Sequence, residues 1–406
     1  MAQIAPFPAW RYDPSRVGPM ADVIAPPYDV ISPAEQGALY ERSPYNVVRL
    51  ILARDAERAD AAARTLRGWM DEGVLAQEAV PAVYLYSQRF TLPDGRTRRR
   101  DGVICRLRLE DFSRGVVRPH ERTFPGPKRD RLALMRATGA YLSPIFGLYA
   151  RPGEPLRDVL GPVDEPLVDA EVAGTGHRVG HTLWRVSDSA AVARLQAALA
   201  AETIFIADGH HRYETGLAYR DECGGRGDTG WILACLANME EEGLVVLPTH
   251  RLVRPACAVD DGALLAGVGG RFDVETLAQN GTRPTGVIDV VLPGRRLRLR
   301  PTDVVRGAMA ALPEAVRGLE VAMLREALLG PLGIGAEQLE FTHDDAEAVG
   351  AVASGRAAAA FLVNPPSMAA VRAVCLSGEV MPEKSTYFYP KLADGLVFDL
   401  VGPPWR

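Results

Sequence analysis

The chain has little of what would give its class away. Its five cysteines, Cys105, Cys223, Cys235, Cys257 and Cys375, are scattered through 406 residues and odd in number. No C-x-x-C pair occurs, so a disulfide framework, a zinc site and a dithiol redox motif are not expected, and the cysteines read as reduced thiols. No stretch reaches the ~18 apolar residues that a membrane span requires. The N-terminus, MAQIAPFPAWRYDP, lacks the basic and then apolar pattern of a secretory leader, so a cytoplasmic location is the expectation. Excess positive charge is also missing. A net charge of -5 and a pI near 5.9 argue against a broad electrostatic surface for nucleic acid. There is no internal repeat, no G-x-x-x-x-G-K-[ST] loop, no G-x-G-x-x-G after a strand and no G-x-S-x-G elbow.

What is present is an ordinary globular composition, 47% hydrophobic and 24% charged, long for one core. Two regions are expected, 1–255 and 256–406, the second a C-terminal α/β part that could pack as one body with the first. The N-terminal third mixes strand signals with helix signals, and a mixed α/β (α+β) class is the expectation. In the string VIAPPYDVIS, Pro26 and Pro27 hold the backbone extended and leave Tyr28 and Asp29 on a stiff loop. Ser32 then caps a helix over SPAEQGALYERS, with Glu35 as its capping-box partner. VVRLIL reads as a strand from its β-branched content. The alternation on either side of Pro93-Asp94-Gly95 predicts a hairpin. His177 and His181 lie in strand-like surroundings and read as strand histidines rather than a metal pair.

The stretch most like a working site is TIFIADGHHRYETGLAY, residues 203–219. An apolar run ends at Asp208-Gly209, and a helix follows through His210, His211 and Arg212. The first N–H groups of such a helix have no intrahelical partners, so an anion can be held there with help from the Arg212 guanidinium. Asp208 is placed to ligate Mg²⁺ beside phosphate oxygens. His210 or His211 could take a proton near neutral pH. Both histidines on one metal are not expected, because adjacent helical residues diverge by about 100°. A second polar segment, PHERTFPGPKRDR, supplies His120, Glu121 and Lys128. The tail MPEKSTYFYPKL adds Lys384 and Lys391 among tyrosines.

The strings VIAPPYDVIS, SPYNVVRL, PHERTFPGPKRDRLALMRAT, LSPIFGLY, FIADGHHRYETGLAYR, VLPTHRLV and MPEKSTYFYPKL together resemble the bacterial and archaeal family called domain of unknown function 1015. The D-G-H-H-R run is similar to the turns of the ParB/sulfiredoxin-like superfamily, which includes partition CTPases, sulfiredoxins and kinases of free serine. The resemblance implies a ParB/sulfiredoxin-like phosphate-binding core elaborated by further strands and helices. Gly209, His211 and Arg212 match the superfamily's phosphate-binding turn, and Asp208 and His210 match its kinase form. Sulfiredoxins have their reactive cysteine where His210 stands, so peroxiredoxin repair is not implied.

For activity, the resemblance implies a Mg²⁺-dependent kinase of free L-serine or a similar hydroxyl compound, with ATP, ADP or pyrophosphate as donor. Asp208, His210 and Glu121 are then the catalytic candidates, with Asp208 also the metal ligand. Gly209, His211, Arg212, Lys128, His120 and Lys384 would hold the phosphates. The expected partner is a small-molecule substrate, with no nucleic acid and no membrane, and a homodimer is conceivable. The alternative reading is a nucleotide-binding regulatory or switch protein that phosphorylates no acceptor.

Overall fold

The computed structural model describes residues 1–92, 95–121, 123, 125–173, 178–256, 261–278 and 281–402. The fold is mixed α/β, and the chain divides into two compact units. The first takes Met1–Pro119, Thr123–Val245 and Pro390–Arg406, the second His120–Arg122 and Val246–Tyr389.

The first unit is built on a mixed sheet that has nine strands among the described residues. These are β1 (Ile4–Ala5), β2 (Val83–Thr91), β3 (Thr97–Arg108), β4 (Val117–Arg118), β5 (Ile145–Tyr149), β6 (Val168–Ala173), β7 (Arg178–Val186), β8 (Ile204–Asp208) and β9 (Trp231–Asn238). Their spatial order is β4-β8-β5-β9-β3-β2-β7-β6, with β1 beside β3. β2 and β3 form the expected antiparallel hairpin, Tyr84 opposite Ile104, although Pro93 and Asp94 at its tip lie outside the described residues. The central strands are buried on both faces; every residue of β5 is buried. Gly147 in β5 is there for space, since a Cβ would stand 2.7 Å from Leu236 and 2.8 Å from Ile204.

Five longer helices belong to this unit: α1 (Pro33–Arg42), α2 (Arg58–Asp71), α3 (Pro125–Thr138), α4 (Ser189–Ala200) and α5 (His210–Glu222). α1 starts with the expected capping box, in which Ser32 accepts from the Glu35 N–H and Glu35 from the Ser32 N–H. α2 packs on α3, α3 on α5, and α5 on β5 and β9. VVRLIL is not a strand. Val48–Ile51 is a single buried helical turn, because Asn46 accepts from the Val48 N–H at 3.0 Å and donates to the Asp22 carbonyl at 2.7 Å. These bonds override a strand propensity that was only local.

The last residues of the chain are sewn into the same unit. Asp399–Leu400 pairs with Ala140–Tyr141, Ala25 and Asp394 exchange backbone hydrogen bonds, and Arg106 grips Asp399 with two bonds of 2.8 and 2.9 Å. This C-terminal segment brings Lys391 and Asp394 to the site described below.

The second unit centres on a six-stranded sheet whose pairings are all antiparallel. Its strands are β10 (His250–Val253), β11 (Phe272–Leu277), β12 (Ile288–Leu292), β13 (Arg295–Pro301), β14 (Leu339–Thr342) and β15 (Ala359–Leu362). Leu252, Val291, Ala348, Val352 and Leu362 share its core. No described helix is long and apolar enough to cross a membrane.

Candidate anion-binding site

β8 ends at Asp208, α5 starts at His210, and one residue, Gly209, turns the chain between them at φ +91° and ψ 28°. Two constraints meet at that glycine. A positive φ is costly for any residue with a Cβ, and a Cβ here would lie 2.9 Å from the Arg212 Nε. The glycine therefore lets Arg212 fold back over the turn. Its guanidinium donates to Asp208 Oδ2 at 2.5 Å and to the Pro144 carbonyl. Gly209 brings no side-chain cap to α5, so the start of the helix keeps its partial positive charge.

Asp208 is held from two sides, because Lys391 Nζ donates to its other oxygen. Burial alone would raise the pKa of this carboxyl, but Lys391 and Arg212, helped by His210, hold it well below the usual carboxylate range. Burial works against the Arg212 charge, and Asp208, Asp394, Asp29 and Tyr28 more than restore it. Both Asp208 oxygens thus face cations, and the described residues contain no group of three His, Cys, Asp or Glu that could hold a metal ion. Asp208 accepts from one cation on each oxygen, Arg212 on Oδ2 and Lys391 on Oδ1. His210 is buried and His211 half-buried at the start of α5.

A second carboxyl lies in this cluster. Asp394 is 1% exposed. Its Oδ2 accepts from the Ser143 hydroxyl at 2.6 Å, while Oδ1 is buried without a hydrogen-bond partner. Burial pushes its pKa up to about 7, against Arg212 and the Ser143 bond and with Asp29 and Asp208 adding to the rise. Asp29, by contrast, is exposed, on the short helix Tyr28–Val30 that follows the Pro26-Pro27 pair. Two residues beyond Arg212, Glu214 receives Lys128 at 2.5 Å and the Thr123 hydroxyl at 2.8 Å.

The other expected residues belong to the second unit. His120 Nε2 meets the Thr386 hydroxyl at 2.8 Å, and the Ser385 N–H donates to Glu121 at 3.2 Å. Arg251 is buried; its guanidinium donates to the carbonyls of Glu383 and Lys384, both at 3.2 Å, and Glu121 offsets part of the loss that burial imposes on its charge. Lys384 is exposed and is the one non-glycine with positive φ, +55°, among the described residues. The structure thus groups Asp208, Gly209, His210, His211, Arg212 and Lys128 in one unit and His120, Glu121 and Lys384 in the other. His181 is a buried strand histidine whose Nδ1 meets the Tyr86 hydroxyl at 2.6 Å; His177 lies outside the described residues.

Lys391 and Asp394 are the additions that the structure makes to this site. One signal in the sequence pointed to the first. Of 46 cationic residues only three are lysines, Lys128, Lys384 and Lys391, and all three stand in the motif stretches. An arginine-rich chain that retains lysine at so few places is using a compact point charge there.

The family model described as "Protein of unknown function (DUF1015)" matches residues 4–322. The chain belongs to that family. No curated protein matches it. Among solved structures, a free serine kinase mutant in complex with AMP is 14% identical, with a TM-score of 0.38, covering 71% of this chain and 87% of that one. A conserved hypothetical protein from Pyrococcus furiosus is also 14% identical, with a TM-score of 0.37 and coverages of 72% and 93%. SbnI with a C-terminal truncation, from Staphylococcus aureus, is 11% identical, with a TM-score of 0.38 and coverages of 72% and 86%. At these values the likenesses carry no argument about what this chain does.

Proposed function

We propose that this member of the DUF1015 family is a small-molecule phosphotransferase, moving a phosphoryl group from ATP, ADP or pyrophosphate to the hydroxyl of free L-serine or a similar compound. The observation that supports it is the turn itself: an uncapped helix start in which Gly209 lets Arg212 fold back beside Asp208 and Lys391. Phosphoryl transfer asks a protein chiefly for positioning and for cations around the moving group.

In this reading the donor's phosphates lie at the start of α5, against Arg212 and Lys391. Asp208 holds both cations in place. The acceptor oxygen forms its bond to the terminal phosphorus, the bond from phosphorus to the bridging oxygen breaks, and the electron pair leaves with the shortened donor. The hydroxyl proton goes to Asp29, the exposed carboxylate of the cluster; Asp208 is committed to its two cations. Mg²⁺ is given no place on Asp208. Incubation of the purified chain with serine or a related hydroxy acid and each donor, followed by mass spectrometry, tests the proposal: a phosphorylated acceptor is expected from at least one pair, and its absence from all of them rejects it.

One observation favours a second reading. Arg212 and Asp208 are already closed on each other, as in a latch that a phosphate would open. A nucleotide-binding switch would show tight nucleotide binding and a changed oligomeric state with no phosphorylated acceptor.

A further inference from the structure

Beside Arg212 the first unit has a pocket that the phosphate reading leaves unused. It is a half-open cleft of about 420 Å³, counting the solvent at its mouth. Its walls are apolar: Ile51, Leu134, Met135 and Leu142. The charged residues in its lining, Arg131 and Arg212, are both cationic, and each also holds a carboxylate, Asp130 and Asp208. Such walls are not what the smallest hydroxy amino acid calls for, since serine has no apolar group to lay against them.

Three buried donors in the lining are unanswered. The Thr215 and Tyr141 hydroxyls and the Arg131 Nε are buried without hydrogen-bond partners, and Thr215 is 6% exposed. A stranded donor costs free energy that a bound acceptor atom would recover. Arg131 is also fixed in advance. It donates to the Ile51 carbonyl at 3.0 Å and to Asp130 at 2.6 Å, and its guanidinium lies 4.1 Å over the Tyr28 ring. Thr215 follows Arg212 by three residues on α5 and so lies on the same helix face.

We propose that this pocket is the acceptor subsite and that it selects a small hydroxylated carboxylate bearing a branched apolar group over serine. The apolar group lies against Ile51, Leu134 and Met135, and the carboxylate accepts from Arg131 and Thr215. The acceptor role rests on the phosphotransfer reading; the binding preference does not.

The test is calorimetric titration of the full chain with L-serine, L-threonine and 3-hydroxyleucine, without any phosphate donor. Each buried carbon is worth roughly fourfold in affinity, so affinity should rise by several tens of fold from serine to 3-hydroxyleucine. Leu134→Gln should flatten that series, and Thr215→Val should lower all three affinities together, each variant being checked for fold by circular dichroism. A flat series in the unaltered chain, no binding of any member, or an undiminished slope in a folded Leu134→Gln overturns the proposal. The same compounds are then offered with a phosphate donor. A steep binding series without phosphorylated product rejects phosphotransfer and leaves the pocket standing; phosphoserine together with a flat series does the reverse.

Discussion

Each unit sets an aspartate among cations, Asp289 fully buried and Asp208 with 15% of its side chain exposed, and the two settings differ in kind. In the second unit Asp289 is 0% exposed and accepts from Arg298 at 2.8 and 3.0 Å and from Arg296 at 3.0 Å. Those arginines are on β13, the strand paired with β12, and Asp289 stands directly opposite Arg298. The pairing is part of the sheet ladder, and the nearest helix start, at Asp345, answers it with a carboxylate of its own, 3.8 Å from Arg296 and 2.7 Å from Arg283. In the first unit Asp208 is the last residue of a strand, its cations come from the following helix and from Lys391, and a pocket opens beside one of them. A buried ion pair is therefore weak evidence of a site. What marks the first cluster is that its aspartate ends a strand one residue before a helix start that has no side-chain cap, with a pocket beside Arg212.

The sharpest way to break that comparison is to remove one cation from the first cluster. Arg212→Ala is expected to lower phosphotransfer by about 10³-fold or more and to weaken donor binding in calorimetry, with the fold retained through Lys391; a variant that unfolds would make Arg212 a structural residue like those around Asp289. The converse is Asp289→Ala, which takes from Arg298 both its bonds to a carboxylate and from Arg296 its nearest one. A loss of about 3–5 kcal/mol is expected in denaturant unfolding, while donor binding by the first unit should not change.

The unpaired Asp394 sets the clusters apart by pH. Its folded pKa of about 7 lies above its ordinary 3.8, so between those values the folded chain binds a proton that the unfolded chain has released. Stability then falls as pH rises through that window. Asp394→Asn should remove the slope, worth up to about 4 kcal/mol, in Tm measured from pH 4 to 8; an unchanged slope would mean that the carboxyl is ionised throughout. A smaller effect is expected from Gly209→Ala, about 1–2 kcal/mol from positive φ, with a larger proportional loss of donor affinity because the added Cβ meets Arg212. Smallest is Lys128→Ala. Both Lys128 and its partner Glu214 are partly exposed, so Tm should move by less than a degree or two, an effect of under about 1 kcal/mol, and any clear loss of donor affinity would place Lys128 in the phosphate site.

The strand, turn and helix of residues 204–222 could be read in the chain because each rests on neighbours a few positions away: an apolar run, a glycine, and helical spacing after it. The same holds for the Ser32/Glu35 capping box. VVRLIL misled for a related reason, since Asn46 and the carbonyl of Asp22 decided its conformation across more than twenty residues. The segment 120–128 read as one polar site, yet it divides after Arg122, because His120 and Glu121 find partners at Ser385 and Thr386 while Thr123 and Lys128 find Glu214.

What the amino-acid order determined by itself was the strand, turn and helix start at Asp208–Arg212, the mixed α/β class and membership of the family. Which charges answer Asp208 was decided only in three dimensions. Lys391 stands 183 positions away from it and arrives because Asp399–Leu400 and Asp394 pair with backbone near residues 140 and 25. Backbone geometry is set by neighbours within a turn or two, but neutralising a buried charge depends on distance through space, and no local pattern records which distant side chain will end nearby.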